Sequence, residues 1–197
     1  TLTDGNLALV GIEPAYVTDP GIAHRELARF AASAGERNRT LETIAGEYPG
    51  EPEAVTGEIP FSSEWKWSAL TFNGGGESES LVLGAPDLLV GSGALTLTGP
   101  MQTRLDAETA IGRRVVVLGR TTSPLPGEGP DGPPAGLEPV ALVILEENLR
   151  PGVAETLELM RSEEVDLKLI SGDAKATVTS VAKSVGLPDD AGVIEGH

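Results

Sequence analysis

The chain has 197 residues, no cysteine and a formal net charge of −16 at pH 7. This length allows one large or two small domains with a sizeable core, and the lack of cysteine excludes both a disulfide framework and thiolate metal ligands. The acidic balance argues against nucleic acid as a partner, because binding to phosphate backbones requires clustered lysine and arginine. No apolar run approaches the roughly 20 residues that a helix needs to cross a bilayer.

The first predicted elements are two helices. Asp19-Pro20 places an acidic N-cap before a proline at the first helical position, which predicts a helix that ends near Gly35. A second helix is predicted over residues 38–48, and Thr40 is a candidate for its cap. Both segments carry apolar residues at helical spacing, so we expect each helix to pack one face against a core.

The pattern then changes to that of strands. Residues 59–61 and 65–72 are predicted strands separated by a bend, and the Asn-Gly-Gly-Gly run at 73–76 predicts a turn into a strand over 80–83. Residues 100–111 predict a helix closed by Gly112, followed by a strand over 113–118. From 121 to 136, five prolines and four glycines indicate a surface loop.

The last part of the chain predicts a βαβ unit. A strand over 138–145, a helix over 151–164 and a strand over 165–170 are followed by Ser171-Gly172-Asp173. Loops at the carboxyl ends of parallel strands aim backbone N–H groups into a shared crevice, as phosphate-handling α/β domains require. Asp173 has an alternative role as the N-cap of a helix over 174–185.

Six short segments, taken in order and spacing, resemble motifs of the cation-transporting P-type ATPases. The first, Thr1-Leu2-Thr3, resembles the tail of Asp-Lys-Thr-Gly-Thr-Leu-Thr, whose aspartate is phosphorylated by ATP in that family. The others are Phe61-Ser62-Ser63-Glu64-Trp65-Lys66, similar to Phe-Ser-x-x-x-Lys; Gly84-Ala85-Pro86-Asp87, similar to Lys-Gly-Ala-Pro-Glu; Arg114-Val115-Val116-Val117-Leu118, similar to Arg-Val-Leu-x-x-Ala; Leu149-Arg150-Pro151, similar to Asp-Pro-x-Arg-Pro; and Ser171-Gly172-Asp173, similar to Thr-Gly-Asp.

The resemblance implies an α+β and α/β fold in which one domain is inserted into another. An antiparallel sheet flanked by helices, the nucleotide-binding domain, would occupy residues 6–137. Residues 1–5 and 138–197 would form part of a Rossmann-like phosphorylation domain of the haloacid-dehalogenase type. The hinges between the two are expected near Gly5 and around residues 136–139.

The resemblance also implies an ATP site. Phe61 would stack on adenine and Lys66 would bind the phosphates, while Glu42 would accept a hydrogen bond from the adenine amino group. The same site would include Ser62, Gly84, Ala85 and Arg114, and Arg150, Ser171, Gly172 and Asp173 would organise the phosphates and Mg²⁺. The residues alone favour the interpretation of Phe61 as an ordinary core residue of the sheet and of Lys66 as a solvated charge, while Glu42 is equally an exposed acid on a helix surface.

Two positions depart from the family pattern. Leu83 stands where the family usually has the lysine before Gly-Ala-Pro, and Ser63 stands where many members have an arginine. Since a charge-assisted hydrogen bond contributes about 1.5–3 kcal/mol, the loss of two cations predicts weak ATP binding dominated by stacking. Leu83 would then pack against adenine.

The resemblance implies that the parent protein is an ATP-dependent cation-translocating enzyme at the cytoplasmic face of the cell membrane. Its partners would be ATP and the membrane helices and actuator domain of the same protein, with Mg²⁺ needed only in the full-length protein and no metal site in this chain. The phosphorylated aspartate would precede residue 1, so we expect the chain alone to be inactive. The absence of a His-Pro dipeptide favours the branch that transports hard cations such as Ca²⁺ or Mg²⁺.

Two other functions remain open from the sequence. The chain is alternatively a cap-bearing hydrolase of the haloacid-dehalogenase type, because that superfamily shares the Rossmann-like core. It is alternatively a non-enzymatic acidic interaction module, in which Phe61 and the tryptophans form a protein-binding patch.

Overall fold

A computed structural model describes residues 2–15, 19–74, 77–123, 125, 132–168, 170, 178–179, 181–182 and 185–187. The predictions made for Thr1 and for Ser171, Gly172 and Asp173 lie outside the described residues.

A six-stranded antiparallel sheet forms the centre of the described chain, in the spatial order β1-β6-β5-β4-β3-β2. Its strands are β1 (Thr3–Pro14), β2 (Val55–Ile59), β3 (Trp67–Gly74), β4 (Glu77–Gly84), β5 (Arg114–Thr121) and β6 (Glu138–Leu149). The strands β2 to β5 follow one another in space as in sequence, whereas β6 inserts between β5 and β1. The chain therefore begins at one edge of the sheet and returns to pair with its own first strand.

Helices cover both faces of this sheet. They are α1 (Pro20–Ser33), α2 (Arg39–Glu47), α3 (Pro86–Leu89) and α4 (Gly99–Ala110), and a fifth helix, α5 (Val153–Ser162), follows β6 in the chain. The helices α1 and α2 pack in one hydrophobic cluster, which we call the α1/α2 core, and α3 and α4 pack in a second one, the α3/α4 core. None of the helices in the described part of the chain combines the length and the apolar character that a membrane crossing requires.

Both helix starts on the α1/α2 face are fixed by side chains that accept backbone hydrogen bonds. The Asp19 carboxylate accepts from the N–H of Gly21 at 2.9 Å, and Pro20 opens the helix, as the sequence predicts. The cap of α2 is Asn38, whose side-chain oxygen accepts from the N–H of Leu41 at 3.0 Å. Thr40 is wrong as the cap, because it lies inside the first helical turn.

The central strands supply apolar side chains to both cores by alternation. In β6, Val143 and Leu145 enter the α1/α2 core, whereas Leu142 and Ile144 enter the α3/α4 core. The same alternation in β3 sends Phe72 to the first core and Trp67 to the second.

The placement of β6 differs from the predicted βαβ unit. β6 contains residues 138–145 but pairs antiparallel with both β1 and β5, so it is a central strand of the large sheet. Its run from Val140 to Leu145 is buried on both faces because helices cover both; such a continuous apolar run is also what a parallel strand shows. The predicted strand over 165–170 is absent among its described residues, and Ile170 is 94% exposed.

Candidate functional site

The loop between β2 and β3 carries an exposed aromatic ring. Phe61 is 46% exposed, so it is not a core residue. The loop around it is closed by hydrogen bonds: the N–H of Lys66 donates to the carbonyl of Ser62 at 2.7 Å, and Nε1 of Trp65 donates to the carbonyl of Pro60 at 3.4 Å. The ring of Phe61 therefore stands at the surface of an ordered bend.

Lys66 connects this loop to the end of β4. Its backbone has a φ of 54°, and its carbonyl accepts a hydrogen bond from the N–H of Ala85 at 3.0 Å. Its ammonium lies 3.3 Å from Oδ2 of Asp87. The structure thus brings together two of the predicted motifs, Phe61–Lys66 and Gly84–Asp87, which 17 intervening residues separate in the sequence.

Gly84 is required by packing within the sheet. A Cβ at this position would lie 2.7 Å from Cβ of Trp67, its cross-strand partner, and 3.1 Å from Cδ1 of Leu89. Such contacts are far shorter than van der Waals distances, so only glycine fits between β3 and α3. The missing side chain makes room for the α3/α4 core, and this accounts for the glycine without a nucleotide.

Leu83 faces the opposite side of the sheet and is buried. It is 5% exposed, belongs to the α1/α2 core, and its carbonyl accepts from Oγ of Ser68 at 3.5 Å. The expectation that Leu83 packs against adenine is therefore wrong, because its apolar surface is already covered by neighbouring side chains. The leucine at this position serves the core.

Arg113 and Arg114 point to opposite faces of the sheet, as strand alternation predicts. Arg113 pairs with the buried Glu108 at 2.8 Å and with Glu146 at 3.2 Å. The hydrogen bond that Arg113 donates to Glu108 raises the pKa of the Arg113 guanidinium above its ordinary value. Arg114 pairs with Glu147 at 3.4 Å and stays 49% exposed, so of the two it is the arginine that a ligand reaches.

Arg114 and Glu42 lie on the same side of the sheet. Val116, two residues beyond Arg114 on β5, packs against the α1/α2 core, which places Arg114 on that face. Glu42 is exposed in the first turn of α2, whose buried residues enter the same core. A carboxylate in this position also interacts favourably with the positive end of the helix dipole.

Arg150 joins the two strands at the end of the β1–β6 pair that contains Thr3 and Leu149, which we call its base. Its N–H donates to the carbonyl of Leu2 at 2.9 Å, and its Nε donates to the carbonyl of Thr3 at 2.9 Å. Thr3 in turn is paired with Leu149 in the sheet register. The start of β1 and the end of β6 are therefore held side by side.

Two acidic residues in this region form ion pairs that the sequence does not indicate. Asp87 binds Lys66, and Glu147 binds Arg114. The pairs are 21 and 33 residues apart in the chain, so no local spacing rule points to them. Among the described residues there is no group of three or more histidine, cysteine, aspartate or glutamate side chains that could hold a metal ion.

Comparison with curated proteins finds ATPases. No protein-family model matches the chain. The calcium-transporting ATPase CtpE of Mycolicibacterium smegmatis is 35% identical over 162 residues, which are 82% of this chain and 19% of that protein. The probable cation-transporting ATPase exp7 of Streptococcus pneumoniae is 31% identical over 192 residues, which are 96% of this chain and 23% of that protein.

Solved structures show the same fold. The crystal structure of a zinc-transporting PIB-type ATPase matches 95% of this chain and 26% of that chain, with a TM-score of 0.63 and 16% sequence identity. This chain spans about a fifth of the length of the curated relatives that it matches. Its sequence and fold together identify the chain as homologous to a segment of the cation-transporting P-type ATPases.

Proposed function

We propose that this chain is the nucleotide-binding part of a cation-transporting P-type ATPase and that it presents ATP to an aspartate outside this sequence. The observation that carries the proposal is the exposed ring of Phe61, held beside Lys66 in the loop between β2 and β3. A purine needs an aromatic face for stacking and its phosphates need a nearby cation. Both are present within one ordered bend.

Further residues would complete the site. Ser62 and Ala85 position Lys66 through backbone hydrogen bonds, and Gly84 sets the packing beneath the bend. On the α1/α2 face, Arg114 would bind phosphate and Glu42 would accept from the adenine amino group. Arg150, with Ser171, Gly172 and Asp173, would organise the phosphates and Mg²⁺ when a phosphorylation domain of the haloacid-dehalogenase type closes on the nucleotide.

The sequence predicts a division into residues 1–5, 6–137 and 138–197, but the antiparallel pairing of β6 with both β1 and β5 supports connections at other residues. The start of β1 and the end of β6 lie side by side, because Thr3 pairs with Leu149. Residues 138–141 lie at the opposite end of β6, where Ala141 pairs with Pro14. We therefore place both connections at residues 2–3 and 149–150 and not around residues 136–139.

The whole protein would transport a hard cation across a membrane. Ca²⁺ is the foremost candidate, because CtpE is named a calcium-transporting ATPase and this chain is 35% identical to the matching part of it. The membrane helices and the actuator domain would be further parts of the same protein, and this segment would lie at the cytoplasmic face. Mg²⁺ would accompany ATP there and neutralise charge on the transferred phosphoryl group.

The chain alone is expected to show neither ATP hydrolysis nor a covalent phosphoenzyme. Phosphoryl transfer needs an in-line nucleophile and a metal that clamps the charged oxygens, and both would be supplied from outside this sequence. Incubation with γ-labelled ATP and Mg²⁺, followed by acid quenching, tests this expectation. A stable acyl-phosphate on the chain would contradict the proposed division of labour.

ATP binding is tested by titration of the chain and its Phe61→Ala variant, followed by tryptophan fluorescence and calorimetry. Trp65 donates to the carbonyl of Pro60, the residue before Phe61, so its emission should report on a ligand at the bend. We expect the variant to bind ATP about 5- to 150-fold more weakly, since stacking of a base on an aromatic ring contributes about 1–3 kcal/mol. Phe61→Tyr is the matched control, because it keeps the aromatic face and should bind nearly as the parent chain does.

The outcomes separate the candidate functions. Saturable binding that is lost in Phe61→Ala and kept in Phe61→Tyr supports the proposal. Binding that is indifferent to both substitutions would place the nucleotide elsewhere. No binding at millimolar ATP by either method would contradict the proposal and favour the acidic interaction module, for which the exposed Phe61 is the natural contact.

A further inference from the structure

The ammonium of Lys66 is already occupied by an acid of the same chain. Its Nζ lies 3.3 Å from Oδ2 of Asp87, and the two side chains are 55% and 68% exposed. Lys66 is the only lysine in the first 167 residues, so the sheet and its helices offer no second ammonium group. Whatever anion Lys66 binds must share it with Asp87 or displace it.

The ion pair also fixes the side of the sheet on which the ammonium lies. Asp87 is in α3, which packs on the α3/α4 core, and it lines a groove there with Val90 and Leu105. Arg114 and Glu42 belong to the opposite face. The pair with Asp87 therefore holds the ammonium of Lys66 on the α3/α4 side, away from the face that carries Arg114.

Only the side chain of Lys66 is free to move away from Asp87. Its backbone has a φ of 54°, and it is tied at both ends, since its N–H donates to Ser62 and its carbonyl accepts from Ala85. The left-handed conformation is rarely adopted by residues other than glycine, asparagine and aspartate, so it is held by these bonds. The ammonium, in contrast, is held by one exposed ion pair, which is a weak interaction.

We propose that Asp87 competes with the nucleotide phosphates for Lys66 and thereby lowers the ATP affinity of the site. This inference rests on the proposed function. A phosphate group carries more negative charge than a carboxylate and wins the exchange, but part of the binding free energy is spent on breaking the Lys66–Asp87 pair. The carboxylate that is left behind also repels the incoming phosphates.

The test is a calorimetric titration of the Asp87→Asn variant with ATP and, separately, with adenosine. The asparagine keeps the size of the side chain and removes its charge, so we expect ATP to bind about 3- to 10-fold more tightly, as the loss of one exposed ion pair and one repulsion allows. Adenosine has no phosphate, and its affinity should change less than about 1.5-fold. Asp106→Asn is the control, because Asp106 lines the same groove and its loss changes the net charge equally.

A double-mutant cycle with Lys66→Met shows whether Asp87 acts through Lys66. If it does, most of the tightening caused by Asp87→Asn disappears in the Lys66→Met background. The inference is overturned if ATP binds but Asp87→Asn leaves its affinity unchanged or weaker, if Asp106→Asn tightens binding equally, or if the effect persists in full without Lys66. Absence of ATP binding to the parent chain and to Asp87→Asn would overturn the proposed function itself, and the inference with it.

Discussion

Replacement of Phe72 by alanine is expected to lower the free energy of unfolding by about 3–5 kcal/mol, the usual range for truncation of a buried aromatic residue. Phe72 is 1% exposed in the α1/α2 core. The guanidinium carbon of Arg29 lies 3.9 Å from the centre of its ring, so the substitution removes a cation–π contact as well as buried apolar area.

The contact matters because Arg29 is the centre of an ion-pair network. Its guanidinium lies 2.9 Å from Glu53, 3.2 Å from Glu26 and 3.1 Å from Glu79, the cross-strand partner of Phe72. Burial by itself lowers the pKa of Arg29, but the hydrogen bonds that Arg29 donates to Glu26 and Glu79 outweigh this effect and raise the pKa. The guanidinium of Arg29 packs on the ring of Phe72. Loss of the ring should therefore weaken the ion pair between Arg29 in α1 and Glu79 in β4.

Urea unfolding followed by circular dichroism and tryptophan emission measures the loss of stability. Phe72→Leu is the matched control, since it keeps most of the apolar volume but removes the aromatic face, and we expect it to lose about 1–1.5 kcal/mol. A loss below about 1 kcal/mol for Phe72→Ala would mean that this part of the core repacks easily and that the network does not depend on the ring.

Replacement of Glu108 by alanine is expected to cost about 2–3 kcal/mol. Glu108 is 5% exposed and accepts from Arg104 and Arg113, each at 2.8 Å. Removal of one member of a buried ion pair costs about 3–5 kcal/mol when the charge left behind is fully buried. The side chains of Arg104 and Arg113 are 46% and 27% exposed, so water solvates them and offsets part of this cost.

The control for this prediction is Glu146→Gln. Glu146 also binds Arg113, at 3.2 Å, but its side chain is 55% exposed, so its neutralisation should change stability by less than about 0.5 kcal/mol. Equal losses for the two variants would show that burial of Glu108 does not determine its contribution. Glu108 connects the end of α4 to Arg113, the residue before β5. Its replacement should lower the midpoint of chemical denaturation and leave the slope unchanged, as a loss of stability alone does.

The sequence predicted the elements whose signals are local. The start of α1 at Asp19-Pro20 is confirmed because an acidic N-cap and a proline act on neighbouring residues. The cap of α2 was assigned to Thr40 and is Asn38, since both residues are good caps and only the backbone conformation distinguishes them.

The elements that the sequence did not predict depend on distant partners. β1 has no simple alternation: Gly5 has a φ of 83°, Asn6 donates its N–H to the side chain of Asp4 at 2.8 Å, and the register with β6 shifts between Thr3 and Leu7. Its partner β6 is more than 100 residues away in the chain. Strand identity in such a segment is settled by pairing, and pairing over that distance leaves no local pattern.

In the candidate site too, the short motifs predicted some features, and others depend on contacts with distant residues. The motifs indicated that Phe61 and Lys66 belong with residues 84–87, and the bond between Lys66 and Ala85 joins the two segments. The roles of Leu83 and Gly84 could not be read from the motif, because they are set by which face each side chain meets. Asp87 is the last residue of the second motif, yet the motif does not reveal its ion pair with Lys66, whose backbone has a left-handed conformation in the structure.

The pairing of β1 with β6 gives the sheet a mechanical property. The part of β6 that pairs with β1 runs from Ala141 to Leu149, and at about 3.3 Å per residue the ribbon that the two strands form is roughly 30 Å long. At its base, Thr3 and Leu149 are neighbours and Arg150 ties the two chains together. A rotation of about 10° at that point would move the far end by roughly 5 Å. The paired strands would thus convert a small rotation at one end into a displacement of several ångströms at the other.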